Sequence, residues 1–168
     1  IYQVGALQGF AKTAGVGLQH VKPHGALYNM AVKDEKLSEA IVEAINVLNH
    51  DLIVFAPPIS ALAKVAVDAG LRAAYEFFAD RAYNPDGGLV SRKQPNAVIK
   101  ESRKAVERAV KVVKEGTVLA VNGEVIKLGE VHTICVHGDT PTAVELTEAL
   151  KRGLTEASIE VKPVGSFI

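Results

Sequence analysis
The apolar positions follow two rhythms. Over residues 2–14, Val4, Leu7, Phe10 and Ala11 fall three and four apart, the spacing of a helix face. The same period returns in "DEKLSEAIVEAINVLN", where Leu37, Ile41, Ile45 and Leu48 form one stripe with Glu39 and Glu43 outside it. "ISALAKVAVDAG", "NAVIKESRKAVERAVKVVKEG" and "GDTPTAVELTEALKRGL" read as further helices, with Gly70 and Gly116 as stops and Pro141 near a first turn. Between them lie short, almost wholly apolar runs that read as buried strands: "VGLQHV" (16–21), "LIVFA" (52–56), "LRAAYEFFA" (71–79) and "VHTICVH" (131–137). "ASIEVKPV" suggests a last short strand. "VLAVNGEVIKL" differs, with two alternating runs flanking Asn122-Gly123, a two-residue hairpin signal. Strands alternating with helices predict a parallel sheet, open and doubly wound or closed as a barrel, and no repeat or linker divides the chain.

In such folds ligands bind beyond the carboxyl ends of the strands. Three strands deliver ionisable groups there. The first ends in "HVKPHG", with His20, Lys22 and His24; the third in "EFFADRAYNPDGG", with Glu76, Asp80, Arg81, Tyr83 and Asp86; a later one in "CVHGDTP", with His137 and Asp139. Each has a plainer reading. His24 could order its own loop, His20 could be a bonded core histidine, Asp139 a helix cap and Asp80-Arg81 a local ion pair. His50 and His132 read as structural or exposed, and Cys135 as a small buried residue. The charges of 100–114 read as a solvated helix face. Arg81 and Arg92 bracket a glycine-rich loop, an arrangement suited to an anionic group.

Composition narrows the classes. Hydrophobic residues make up 48% and charged residues 23%, and nineteen basic side chains balance nineteen acidic ones. A nucleic-acid binder would need a basic surplus, and no apolar run reaches the ~18 residues of a membrane span. One cysteine cannot form an internal disulfide, which leans toward the reducing cytoplasm. The chain has no phosphate loop, no G-x-G-x-x-G fingerprint, no nucleophile elbow and no cysteine pairs for zinc. A nucleotide would need another anchor, such as the helix start after Gly138-Asp139. The residues thus point to an enzyme, a hydrolase or lyase, with His and Asp as acid and base and Arg or Lys holding an anion.

Three stretches together, "VKPHGALYN" (21–29), "EFFADRAYNPDGGLVSR" (76–92) and "ICVHGDTPTAV" (134–144), resemble the LamB/YcsF family, the A subunits of bacterial 5-oxoprolinase. The resemblance covers nearly the whole chain. It implies an α/β fold, a TIM-like (β/α) barrel related to polysaccharide-deacetylase barrels, with residues 1–168 as one domain. It implies ATP-dependent opening of the 5-oxoproline lactam to glutamate, with magnesium and with partner subunits B and C. On the matching positions it implies His24, Asp80, His137 and Asp139 as catalytic groups, and Lys22, Glu76, Arg81 and Arg92 as substrate or anion contacts. Two readings compete: a non-catalytic ligand-binding or scaffold protein, and a metal-dependent, deacetylase-like hydrolase in which His24, His137 and an Asp ligate a divalent ion. Family members look as if they open with D-x-N-x-D-x-G-E and N-x-A-C-G-x-H-x-G-D segments, which this sequence lacks, and it starts at Ile1. The expectation is that these strands form the carboxyl-terminal portion of a longer family domain. They would then not close a barrel alone, and the remaining strands are either present but not counted or replaced by self-association into a homo-oligomer.

Overall fold
The structure, a computed structural model, describes residues 1–168. The chain forms two compact units, Ile1–Tyr75 with Val164–Ile168, and Glu76–Pro163.

The first unit begins with α1 (Tyr2–Thr13), β1 (His20–Val21), α2 (Ala26–Ala31) and α3 (Glu35–Leu48). It continues with β2 (Ile53–Ala56), α4 (Ala61–Asp68) and the start of β3 (Ala73–Phe78), and a 3-10 turn at Val164–Ser166 belongs to it. β1 pairs with β2, and β2 with residues 73–75, all parallel. Every residue of β2 is buried, as a strand covered on both faces must be. One face packs Val54 and Ala56 with Val42, Ile45, Leu62 and Ala66 from α3 and α4. Both helices start on side-chain caps, Asp34 accepting from Leu37 N–H and Ser60 from Ala63 N–H, each worth about 1 kcal/mol. The buried stripe of α3 is Ser38, Val42 and Ile45, one residue off the apolar stripe; Leu37, Ile41 and Leu48 flank it, half-buried. Ser38 fits because its hydroxyl lies 2.9 Å from the carbonyls of Ala31 and Asp34 and donates there.

Two expectations change in this unit. The strand read over 16–21 shortens to His20–Val21. Helix α1 forms as expected, yet none of its residues is buried, and Leu7 and Phe10 are 58% and 75% exposed. Periodicity marks a face, not what covers it.

The second unit holds the end of β3, then α5 (Ser102–Glu115), β4 (Thr117–Leu119), β5 (Val125–Lys127), β6 (Thr133–Cys135) and α6 (Ala143–Glu156). Residues 76–78 pair in parallel with β6. β4 and β5 form a hairpin around Asn122-Gly123, but its register centres on Asn122 and the connection, 120–124, is longer than the two-residue turn expected; Gly123 takes φ +87° and Asn122 Oδ1 accepts from Glu124 N–H. Helices α5 and α6 pack together, with Ala105, Ala109 and Val112 buried on one and Leu146, Leu150 and Leu154 on the other. Gly153 lets them approach, since a Cβ there would run into Val106 Cγ1.

Three boundaries move. α5 starts at Ser102, not near Asn96, which has φ +60°. α6 starts at Ala143, after a turn in which Thr140 N–H donates to the His137 carbonyl, so Asp139 does not cap it and Pro141 precedes it. Residues 157–163 form no strand; alternation over a few residues does not supply a pairing partner. No helix is long and apolar enough to cross a membrane.

The long excursion from β3 to α5 is stitched into place. Ala82 N–H donates to Ala97 O, Val90 N–H to Ala82 O and Ile99 N–H to Asp80 O, around a small core of Ala82, Val90 and Ala97. Tyr83 folds back so that its buried hydroxyl accepts from Phe78 N–H at 3.0 Å, and burial pushes its ionisation far above the usual range.

Three substitutions test this packing by urea unfolding. Gly153→Ala should destabilise by about 1–3 kcal/mol through overpacking, whereas Gly5→Ala, with open space around it on α1, should stabilise by about 0.5–1 kcal/mol. Tyr83→Phe should cost about 1 kcal/mol, the net worth of one internal hydrogen bond.

Candidate active site
The register of β3 and β6 builds the centre of the site. Phe78 lies opposite Cys135. Just past these strand ends come Asp80, in a turn closed by Arg81 N–H on Phe78 O, and His137. The structure joins them: His137 Nδ1 and Asp80 Oδ2 are 2.7 Å apart. The Asp80 side chain is 3% exposed and that of His137 21%. An ionised carboxylate only accepts, so Nδ1 carries the proton and Nε2 is left for a ligand. The Phe78 ring lies against the imidazole, with centroids 5.8 Å apart. The ring is therefore fixed by a bond at one edge and a stack on its face.

Arg81 follows Asp80 directly in sequence, and Arg92 lies further along the same excursion. Arg81 is buried, and its Nη2 donates to Val90 O at 2.5 Å. Burial lowers its pKa below the usual value, and repulsion from Arg92 adds to this, against attraction to Asp80. Arg92 donates from Nη1 to Asp139 Oδ2 at 3.2 Å, an exposed pair. That hydrogen bond holds the Asp139 carboxyl below its ordinary range. The alternative of an Asp80-Arg81 ion pair gives way to Asp80 bonded to His137 and Arg81 to a carbonyl. Glu76 is buried on β3 opposite Thr133. Six of the expected residues, Glu76, Asp80, Arg81, Arg92, His137 and Asp139, thus belong to the second unit.

Lys22 and His24 belong to the first unit, just past the carboxyl end of β1. Lys22 Nζ lies 5.4 Å from the centre of the Tyr28 ring, a cation–π distance. His24 is exposed and precedes Gly25, whose φ of +62° with ψ of −128° only glycine adopts readily. The glycine in "KPHG" therefore has a backbone task, turning the chain into α2. His20 is exposed rather than a core residue and stacks on Phe55. His50 bonds Asn46 and His132 lies 3.6 Å from Glu130, outside the site. Cys135 is half-buried.

One residue was not foreseen. Arg108 on α5 turns inward, and its Nη2 donates to Arg81 O at 2.9 Å. Its guanidinium stands 5.7 Å from the Phe77 ring centre and 5.9 Å from that of Tyr83. The signal was its helical phase: it follows Ala105 by three and precedes Val112 by four, both of them buried. Three buried polar atoms here have no hydrogen-bond partner: Asp80 Oδ1, Arg81 Nε and Arg108 Nε.

Known proteins resemble this chain along its whole length. The family model for the LamB/YcsF family matches residues 1–168. A protein named as the A subunit of 5-oxoprolinase, from Pyrococcus horikoshii, is 50% identical over 168 residues, covering 100% of this chain and 66% of that protein. Its namesake from Halalkalibacterium halodurans is 49% identical over 168 residues, 65% of its length. The chain therefore spans about two thirds of these relatives. Among solved structures, a lactam utilization protein from Thermus thermophilus matches with a TM-score of 0.86 and 37% identity, over 96% of this chain and 64% of that one. With the whole sequence matched by one family model and half of it identical to several of that family's proteins, the chain belongs to the LamB/YcsF family.

Proposed function
We propose that this chain supplies reacting groups to an A subunit of 5-oxoprolinase, a hydrolase that opens the 5-oxoproline lactam to glutamate. The observation that carries this reading is the Asp80–His137 hydrogen bond at the tips of two parallel strands, next in sequence to a buried arginine. The names of the relatives support the substrate. In this reading His137 Nε2 takes a proton from water as the water oxygen adds to the lactam carbonyl carbon. The ring C–N bond then breaks, and the same proton passes to the departing nitrogen. Asp80 keeps the imidazole in the right tautomer and orientation. Arg81 and Arg92 hold the substrate carboxylate and steady negative charge on the carbonyl oxygen.

A lactam resists water, so the reading includes ATP, with magnesium, as co-substrate: the γ-phosphoryl group passes to the lactam carbonyl oxygen as ADP leaves. The water adds to that carbon, the ring C–N bond breaks to leave an acyl phosphate, and a second water releases inorganic phosphate and glutamate. Guanidinium groups suit such phosphates. Lys22, in the first unit, is a further cation of the reading, and Arg92 and the amino end of α6 are the anchors in the second. The helix N–H groups offered there are those near Ala143, not those beside Gly138 and Asp139. His24 is a second proton carrier, and Glu76 and Asp139 set the charge around the arginines. Partner subunits B and C and a cytoplasmic setting complete the proposal.

Arg92 cannot serve both Asp139 and a substrate carboxylate fully, so the two compete. Because the Asp139 pKa is depressed, the Arg92 pair persists through the ordinary carboxylate range and is lost only as pH falls through the lowered value. Arg92→Gln should raise KM for 5-oxoproline and let the Asp139 pKa rise toward its ordinary value, read by carboxyl-carbon NMR.

The deciding assay measures 5-oxoproline- and ATP-dependent glutamate formation with and without candidate B and C subunits. It uses this chain and a version extended at its amino end to the length of its relatives. His137→Ala and Asp80→Asn should each lower kcat by about 10²–10⁴-fold while partner assembly persists. Wild-type turnover in His137→Ala would end the catalytic reading, and loss of assembly in both variants would favour a scaffold.

A further inference from the structure
A guanidinium turned into a protein interior needs compensation, because burying a cation is costly unless it is bonded. Arg108 is compensated only in part. It donates one hydrogen bond to a neutral carbonyl, that of Arg81. Its face lies near two aromatic rings, Phe77 and Tyr83. Its Nε has no hydrogen-bond partner. Burial pushes its pKa below the usual value, against attraction from Tyr83 and Asp80. For stability alone, a methionine or leucine would fill the same helix position at less cost. Incompletely bonded buried polar groups call for another explanation, and here two more, Asp80 Oδ1 and Arg81 Nε, lie on the segment that Arg108 holds.

That segment is where the geometry has to be exact for chemistry. Beyond Phe78 the regular pairing of β3 with β6 stops. Asp80 and Arg81 then rest on other supports. Arg81 N–H reaches Phe78 O at a long 3.4 Å, and Asp80 O accepts from Ile99 N–H. The Arg81 carbonyl accepts from Arg108. A carbonyl anchored by a planar, multiply donating group on a helix is fixed in direction as well as position. The carboxylate one residue earlier is thereby aimed at His137 Nδ1.

We propose that Arg108 is a positioning residue of the candidate active site, which fixes the Asp80-Arg81 segment from behind so that Asp80 stays bonded to His137. The catalytic meaning of this role rests on the function proposed above; the structural role does not. Arg108 touches no substrate. It acts through the Arg81 carbonyl and through its charge near Asp80.

The test compares Arg108→Met and Arg108→Lys with the wild type, each first shown to unfold cooperatively. Histidine labelled with 15N reports the state of His137 in the 168-residue chain. In the wild type, Nδ1 should carry a proton that exchanges slowly with water. Arg108→Met removes both the bond and the charge. It should speed that exchange by about tenfold or more and let the two tautomers mix. Arg108→Lys keeps a cation and a donor and should restore most of the wild-type signal.

In the assembled oxoprolinase, Arg108→Met should lower kcat about 10–100-fold with little change in KM, the signature of misplaced groups rather than weakened binding. An unchanged His137 signal in folded Arg108→Met would overturn the proposal. So would equal defects in the Met and Lys variants that track only their loss of stability. If Arg108→Met does not fold, Arg108→Gln takes its place under the same criteria. If the wild type shows no turnover under any condition, the functional reading fails, and the His137 resonance still decides the role of Arg108.

Discussion

The candidate site depends on parallel register. Because β3 and β6 run the same way with Phe78 opposite Cys135, the chain leaves both strands at the same end, and the turn after Phe78 and the loop after Cys135 bring Asp80 to His137. They stand 57 positions apart in the chain, so no local preference could join them. The sheet supplies the proximity. Helix α5, the hairpin and the excursion around Ala82, Val90 and Ala97 then fill the space between without disturbing it. A one-residue slip would turn both side chains to the opposite face, so the same hydrophobic pattern that seats β3 in the core also specifies the pair.

Around that pair the charges are unequal. Asp80 is buried near two arginines whose pKa burial lowers, and the third, Arg92, is exposed and already engaged by Asp139. This division separates tasks. Arg108 is committed to the protein through a main-chain carbonyl, and Arg81 is anchored to another by Nη2 while its Nε has no protein partner. Arg92 is held by a pair that water screens and a competing anion can open. A site that must both keep its shape and exchange ligands needs both kinds of group.

Much of this was legible in the sequence, and the limits were physical. Long, strongly periodic helices such as α3, α5 and α6 were visible, as were the buried strands and the Asn-Gly hairpin, because their signals are local. Element ends were less so. Asp139 looked like a cap because an Asp-x-Pro run often begins a helix, but Arg92 claims its carboxylate instead. The strand read over 157–164 failed because pairing needs a partner that the sequence does not display. Asp80 and His137 were singled out by position at strand ends, but their direct bond was invisible without the register. Arg108 was hidden among the many charges of α5, where most do face water and one does not. The three sequence stretches that carried the family resemblance identified the family correctly because they contain the strand tips themselves.

The close approach of α5 and α6 at Gly153 has a wider reach than packing. α5 presents Arg108 to the end of β3, and α6 follows directly on the loop that carries His137 and Asp139. A missing methyl group thus acts as a spacer gauge: it fixes how deeply one helix sits against the other, and so how far a guanidinium on the first can extend toward a backbone oxygen. Bulk added at that contact would lengthen the lever arm behind the carboxylate, making a residue remote in sequence from the site a natural place for evolution or design to tune its alignment.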